Sequence, residues 1–147
     1  MSKKQIHFFL EATNYRIENK GLIREWLTKS VLAENKRVGE LNIILCNDEY
    51  LHKLNLSFLN HDTLTDIITF DYTESDIISG DIFISISRIK ENANKYSLAI
   101  KEELHRVTIH GILHLCGYGD KTKREKEIMT SKENEYLAER PYKLMNS

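Results

Sequence analysis

The chain has 147 residues, 21 Lys and Arg against 22 Asp and Glu for a net charge of −1, and 41% hydrophobic residues. That length suits one domain, spanning residues 1–147, with a sizeable core. The balanced charge excludes a strongly basic nucleic-acid binder, so any RNA contact must come from a local patch.

Ile6 to Leu10 is β-branched and aromatic between polar neighbours and predicts a first strand. Residues 19–34 predict a helix whose stripe is Leu22, Ile23, Trp26, Leu27 and Ser30, with Trp26 in the core. Residues 37–46 predict a second strand, with Leu41, Ile43 and Leu45 alternating. Asn47 then caps a helix over 48 to about 59, Asp48 and Glu49 favour its positive end, and Leu51, Leu54 and Phe58 are expected inside. A polar connection, 60–66, leads to a short buried strand at 67–70. Residues 73–79 predict a loop, 80–85 another strand, and Ser87 the cap of a helix to about Tyr96. An apolar helix follows over about 98–116. The chain then turns basic at Lys121, Lys123, Arg124 and Lys126, and a last helix holds Ile128, Met129, Tyr136 and Leu137. With one proline and no repeats there is no internal boundary. Strands and helices without strict alternation predict an α+β fold: about four strands in a mixed sheet, helices packed on it, and a metal site at the end of a buried helix.

The stretch from Glu103 to Asp120 carries the chemistry. His110 and His114 are four residues apart, which stacks two imidazoles on one helical face. The rest of that helix is apolar, so two His in its middle are costly without partners. Gly111 in a helix interior costs ~1 kcal/mol relative to Ala and implies a close neighbour. Gly117 ends the helix, and Asp120 follows six residues after His114, so a tight return brings a carboxylate back. Two His and one Asp leave a coordination position open, the mark of a catalytic site. Gly111, not Glu, follows His110, so the base of His-Glu-x-x-His metalloproteases is missing. Cys46 and Cys116 form no Cys-x-x-Cys pair and read as reduced thiols, Cys116 as helix packing. No segment approaches the ~20 apolar residues of a membrane span, and the N-terminal apolar run is too short for a signal peptide. A soluble cytoplasmic protein is expected.

At His110-Gly-Ile-Leu-His-Leu-Cys-Gly-Tyr the sequence resembles the YbeY family of bacterial rRNA-maturation endoribonucleases. That family's His-Gly-x-Leu-His-Leu-x-Gly-Tyr-Asp-His motif gives three His to zinc. Leu54-Asn55 with Thr65-Asp66-Ile67-Ile68-Thr69-Phe70, and Gly80-Asp81-Ile82, look like two further family blocks in the same order. The resemblance implies zinc at His110, His114 and Asp120, RNA cleavage, and partners in the small ribosomal subunit and its associated proteins. There are departures. Asp120 stands where the family has its third His, and a two-His, one-carboxylate set also suits Fe2+ or another divalent ion. Leu59 stands where the family carries a functional Arg, and Leu64 where it has Pro.

The replacement cation is expected among Arg106, Lys121, Lys123 and Arg124, the candidate RNA contacts. Glu103 sits two helical turns before His110 and is expected either to orient a ligand His or to act on water. Asp66, in a family block, shares that catalytic expectation; Asp81 reads as structural. Two other functions stay open: a ribosome-associated RNA-binding factor with a structural metal, and a metal-dependent hydrolase of another substrate.

Overall fold

The computed structural model describes residues 5–146. Its four strands are β1 (Ile6–Leu10), β2 (Arg37–Cys46), β3 (Ile67–Asp71) and β4 (Ile77–Ser85). Its helices are α1 (Lys20–Ala33), α2 (Asp48–Leu59), α3 (Ile86–Tyr96), α4 (Ile100–Leu115), α5 (Lys123–Ala138) and the short α6 (Tyr142–Met145). The strands form one mixed sheet in the order β1-β2-β4-β3. β1, β2 and β4 run parallel, and β3 is antiparallel to β4. The expected α+β architecture is therefore present.

Period-two alternation sorts the strand side chains onto two faces. Leu41, Ile43, Leu45, Ile78, Ile82 and Ile84 pack into the main core with Trp26 and Leu27 of α1 and Ile109, Ile112 and Leu113 of α4. On the other face Cys46, Ile68, Phe70 and Phe83 meet Leu51 and Leu54 of α2. α4 lies against β3 and β4, with α3 and α5 flanking it. Gly111 explains how close it sits. A Cβ there would stand 2.9 Å from Ile67 Cδ1 and 3.1 Å from Ile82 Cγ2.

Three local expectations are corrected. β4 begins at Ile77, inside the expected loop, because Ile77 and Ile78 find partners in Arg37 and Val38 of β2. Ser85, not Ser87, caps α3 by accepting from Arg88 N at 3.2 Å; Ser87 Oγ instead accepts from Asp48 N. Phe58 is exposed, since only Leu51 and Asn55 of α2 are fully buried. Its ring lies edge-on to Phe70 at 5.9 Å instead of entering the core.

Candidate metal centre

α4 ends in a turn built from its own sequence. Gly117 has φ 109°, a left-handed conformation that side chains disfavour. Gly117 N donates to His114 O at 3.0 Å and Tyr118 N donates to Leu113 O at 3.1 Å. This paired closure reverses the chain and satisfies the last carbonyls of the helix. The turn delivers Asp120 back over the helix end. There Oδ2 lies 3.2 Å from His110 Nε2 and 3.3 Å from His114 Nε2. The two imidazoles stand edge to face, 4.5 Å between centroids. Ligand atoms of His110, His114 and Asp120 all lie within 4.8 Å of one another. No other group of three or more His, Cys, Asp or Glu converges this way among the described residues.

The outer nitrogens of both rings are committed. His110 Nδ1 is 2.6 Å from Glu133 Oε2, and His114 Nδ1 is 2.9 Å from the Tyr118 carbonyl. A carbonyl only accepts, so His114 Nδ1 carries its proton and Nε2 carries the lone pair. The same tautomer satisfies the Glu133 carboxylate at His110. In the neutral form of each ring both Nε2 lone pairs then face Asp120, which is the donor set a divalent ion takes. Burial opposes a charge on His110, but the bond to Glu133 and the charges of Glu133, Asp120 and Asp66 outweigh it and raise its pKa.

Beside this cluster opens a cavity of about 270 Å³, lined by Asp66, Ile67, Glu103, Arg106, Val107, His110, Asp120 and Glu133. Glu103 is only 6% exposed. Burial, then the charge of Asp66, pushes its carboxyl above the usual range, against the pull of Arg106. Burial likewise raises Asp66, although His110 and a bond to its own backbone pull the other way.

The expected residues divide into three groups. His110, His114 and Asp120 meet. Asp66, Glu103 and Arg106 line the adjoining cavity. Arg106 is clamped there, Nη1 donating to Glu133 Oε1 at 2.9 Å and Nη2 to Asn134 Oδ1 at 2.8 Å. Lys121, Lys123 and Arg124 are exposed and do not line the cavity. The dipole cost of lysines at the start of α5 is offset by a capping box. Thr122 Oγ1 accepts from Glu125 N, and Glu125 Oε1 accepts from the backbone N of Thr122 and Lys121, each at 3.0 Å. Cys116 stands outside the cluster, its thiol pushed up to about 11 by burial and the Glu34 charge. Asp81 is structural, accepting from Asn42 Nδ2 across the strands at 2.9 Å. Leu59 is exposed at the end of α2 and supplies no cation.

Glu133 was not anticipated. Its position was readable: Met129, Glu133, Tyr136 and Leu137 follow helical spacing, so a carboxylate lies on the buried stripe of α5.

A family model described as Endoribonuclease YbeY matches residues 5–140. The chain belongs to the YbeY family. An Endoribonuclease YbeY of Flavobacterium johnsoniae is 51% identical over 126 residues, covering 86% of this chain and 91% of that one. The Endoribonuclease YbeY of Christiangramia forsetii is 49% identical over 138 residues, covering 94% and 96%. A solution structure of a Thermotoga maritima protein superposes with a TM-score of 0.66 at 30% identity, covering 91% of this chain and 87% of that one. The cluster of His110, His114 and Asp120 thus sits in a YbeY scaffold, and no helix among the described residues is long and apolar enough to cross a membrane.

Proposed function

We propose that this protein is a zinc-dependent endoribonuclease that acts in the cytoplasm on small-subunit rRNA during ribosome maturation. The observation that carries the reading is the convergence of two Nε2 lone pairs on Asp120, with both Nδ1 atoms tied down, in a YbeY chain. His110, His114 and Asp120 would hold the ion. When bound, a divalent metal supplies Lewis acidity, lowering the pKa of water from 15.7 to about 7 and polarising a phosphoryl oxygen. The three side chains are 20%, 25% and 40% exposed, beside a cavity. That openness favours catalysis over the closed tetrahedral shell of a structural zinc.

The protein's own groups supply the rest. In hydrolysis a proton leaves the attacking water and another reaches the leaving oxygen. Glu103 and Asp66 line the cavity with their pKa values raised above the ordinary carboxylate range by burial, the direction that suits proton carriers. Arg106 takes the place of the family Arg missing at Leu59. Beside His110 it is the one cation among the described residues that lines the cavity, and two bonds fix its guanidinium for a phosphate. Lys121, Lys123 and Arg124 are solvent-facing contacts for the RNA backbone farther along the strand.

The test is cleavage of a small-subunit rRNA fragment by the purified protein. Activity that is abolished by a chelator, restored by zinc and lost in folded His114→Ala supports the reading. Cleavage that survives both treatments overturns it.

A further inference from the structure

We propose that Glu34 is a positioning residue for the metal centre, acting through the hydroxyl of Tyr118. The proposal rests on the metal-site reading above. Glu34 lies just past α1, far from the cluster in sequence, and its side chain is 11% exposed. A buried carboxylate needs several donors to be tolerated. Glu34 has three: Tyr118 Oη donates to Oε1 at 2.7 Å, Tyr136 Oη donates to Oε2, and Lys132 Nζ lies 3.2 Å from Oε2. Burial opposes its charge, yet these bonds hold its carboxyl below the usual range. Lys132 also stands over both rings, 5.9 Å from Tyr118 and 5.8 Å from Tyr136.

Tying α1 to α5 requires only Tyr136 and Lys132. The bond to Tyr118 does something else, because Tyr118 belongs to the turn that makes the site. Its carbonyl receives the His114 Nδ1 proton, and Asp120 follows two residues later. Tyr118 sits between Gly117 and Gly119, residues that leave the backbone more freedom than any other. Its ring is the one large side chain anchoring this three-residue segment. With the hydroxyl fixed by Glu34, the carbonyl of Tyr118 and the carboxylate of Asp120 keep their distance from the two imidazoles. α5 thus serves the centre through two arms. Glu133 orients His110 directly, and Lys132 with Tyr136 sets the charge and place of Glu34, which holds Tyr118.

The test compares Tyr118→Phe, Glu34→Ala, Glu34→Gln and the Tyr118→Phe/Glu34→Ala double variant with wild type. Readouts are zinc affinity by chelator competition, the visible spectrum of the cobalt-loaded protein, and the melting temperature of the metal-free form. Tyr118→Phe removes one oxygen but keeps the carbonyl that receives His114 Nδ1, so it is expected to weaken zinc measurably but by less than the roughly tenfold to hundredfold that loss of an outer-shell partner costs. The cobalt spectrum shifts, and the metal-free melting temperature also falls because Glu34 loses one of its three donors, so affinity and spectrum are compared where each variant is fully folded. Glu34→Ala weakens zinc similarly, and the double variant is no worse than Glu34→Ala alone. Glu34→Gln keeps an acceptor for the hydroxyl and recovers most of the affinity. Wild-type affinity and spectrum in Tyr118→Phe overturn the proposal, as do additive losses in the double variant. His114→Ala is the control. If it loses zinc while Tyr118→Phe does not, only the role of Glu34 fails; if it retains zinc, the metal-site reading falls and the proposal with it.

Discussion

Glu133 on α5 and His110 on α4 meet at 2.6 Å, carboxylate oxygen to Nδ1. The other oxygen of the same carboxylate receives Arg106 Nη1 at 2.9 Å. One buried acid therefore orients a ligand imidazole and aims the cavity's guanidinium. Glu133→Ala is expected to weaken zinc binding by roughly ten- to a hundredfold and, by releasing Arg106, to raise the KM for RNA. Chelator competition and steady-state cleavage check both; unchanged zinc affinity would remove Glu133 from the site.

Glu103 predicts a pH effect on stability. Its folded pKa is raised by burial and by Asp66, so the folded state holds its proton more tightly than the unfolded one. The stability this gives is fully present below the ordinary carboxylate range and is lost as pH rises through the raised value. Metal-free Glu103→Gln should be more stable than wild type near neutrality, with the advantage vanishing in acid. Urea titrations from pH 4 to 8 test this, and a pH-independent difference would contradict it.

His105 predicts the opposite slope. It is 3% exposed, packs against Trp26 with the rings tilted by 55° and 5.6 Å between centroids, and accepts from Arg140 Nη1 at 2.8 Å. Burial, then the Arg140 charge, lowers its pKa from 6.5 to about 4. Folding with a neutral His105 is therefore fully favoured above 6.5, and that contribution is lost as pH falls toward 4. In His105→Asn the slope of stability between those values should flatten by about one proton, ~1.4 kcal/mol per pH unit. An unchanged slope would show that another group titrates there.

RNA affinity should separate the two sets of cations. Each phosphate contact to single-stranded RNA contributes about −0.7 to the slope of log K against log salt. Arg106→Ala is expected to lower the slope by about one such contact and to cut cleavage. Replacing Lys121, Lys123 and Arg124 together should lower the slope by up to about three contacts with a smaller effect on single-turnover cleavage. Filter binding at several salt concentrations measures this. A triple variant with the wild-type slope removes that patch from the RNA path.

Much of the architecture was legible because the strands and helices carry strong local patterns. The His110–His114 spacing and the Gly117 turn are likewise local, so three converging side chains could be read from the eleven residues His110 to Asp120. What lay hidden depends on pairing between distant segments. Ile77 and Ile78 join β4 only because β2 offers Arg37 and Val38 as partners. Phe58 follows the helical spacing of Leu51 and Leu54, yet the face it shares runs beyond the edge of the sheet core. Glu133 and Glu34 reach the centre from elements 23 and 84 residues away from His110 and Tyr118, respectively, and no local motif announces such contacts.

The central claim is that His110, His114 and Asp120 hold a catalytic divalent ion. The most direct test is elemental metal content of the purified protein beside His114→Ala and Asp120→Ala, with circular dichroism on each. The expected result is near one zinc per chain in wild type, lost in both variants with the fold retained. Zinc kept in Asp120→Ala, or no metal in a folded wild type, would contradict it.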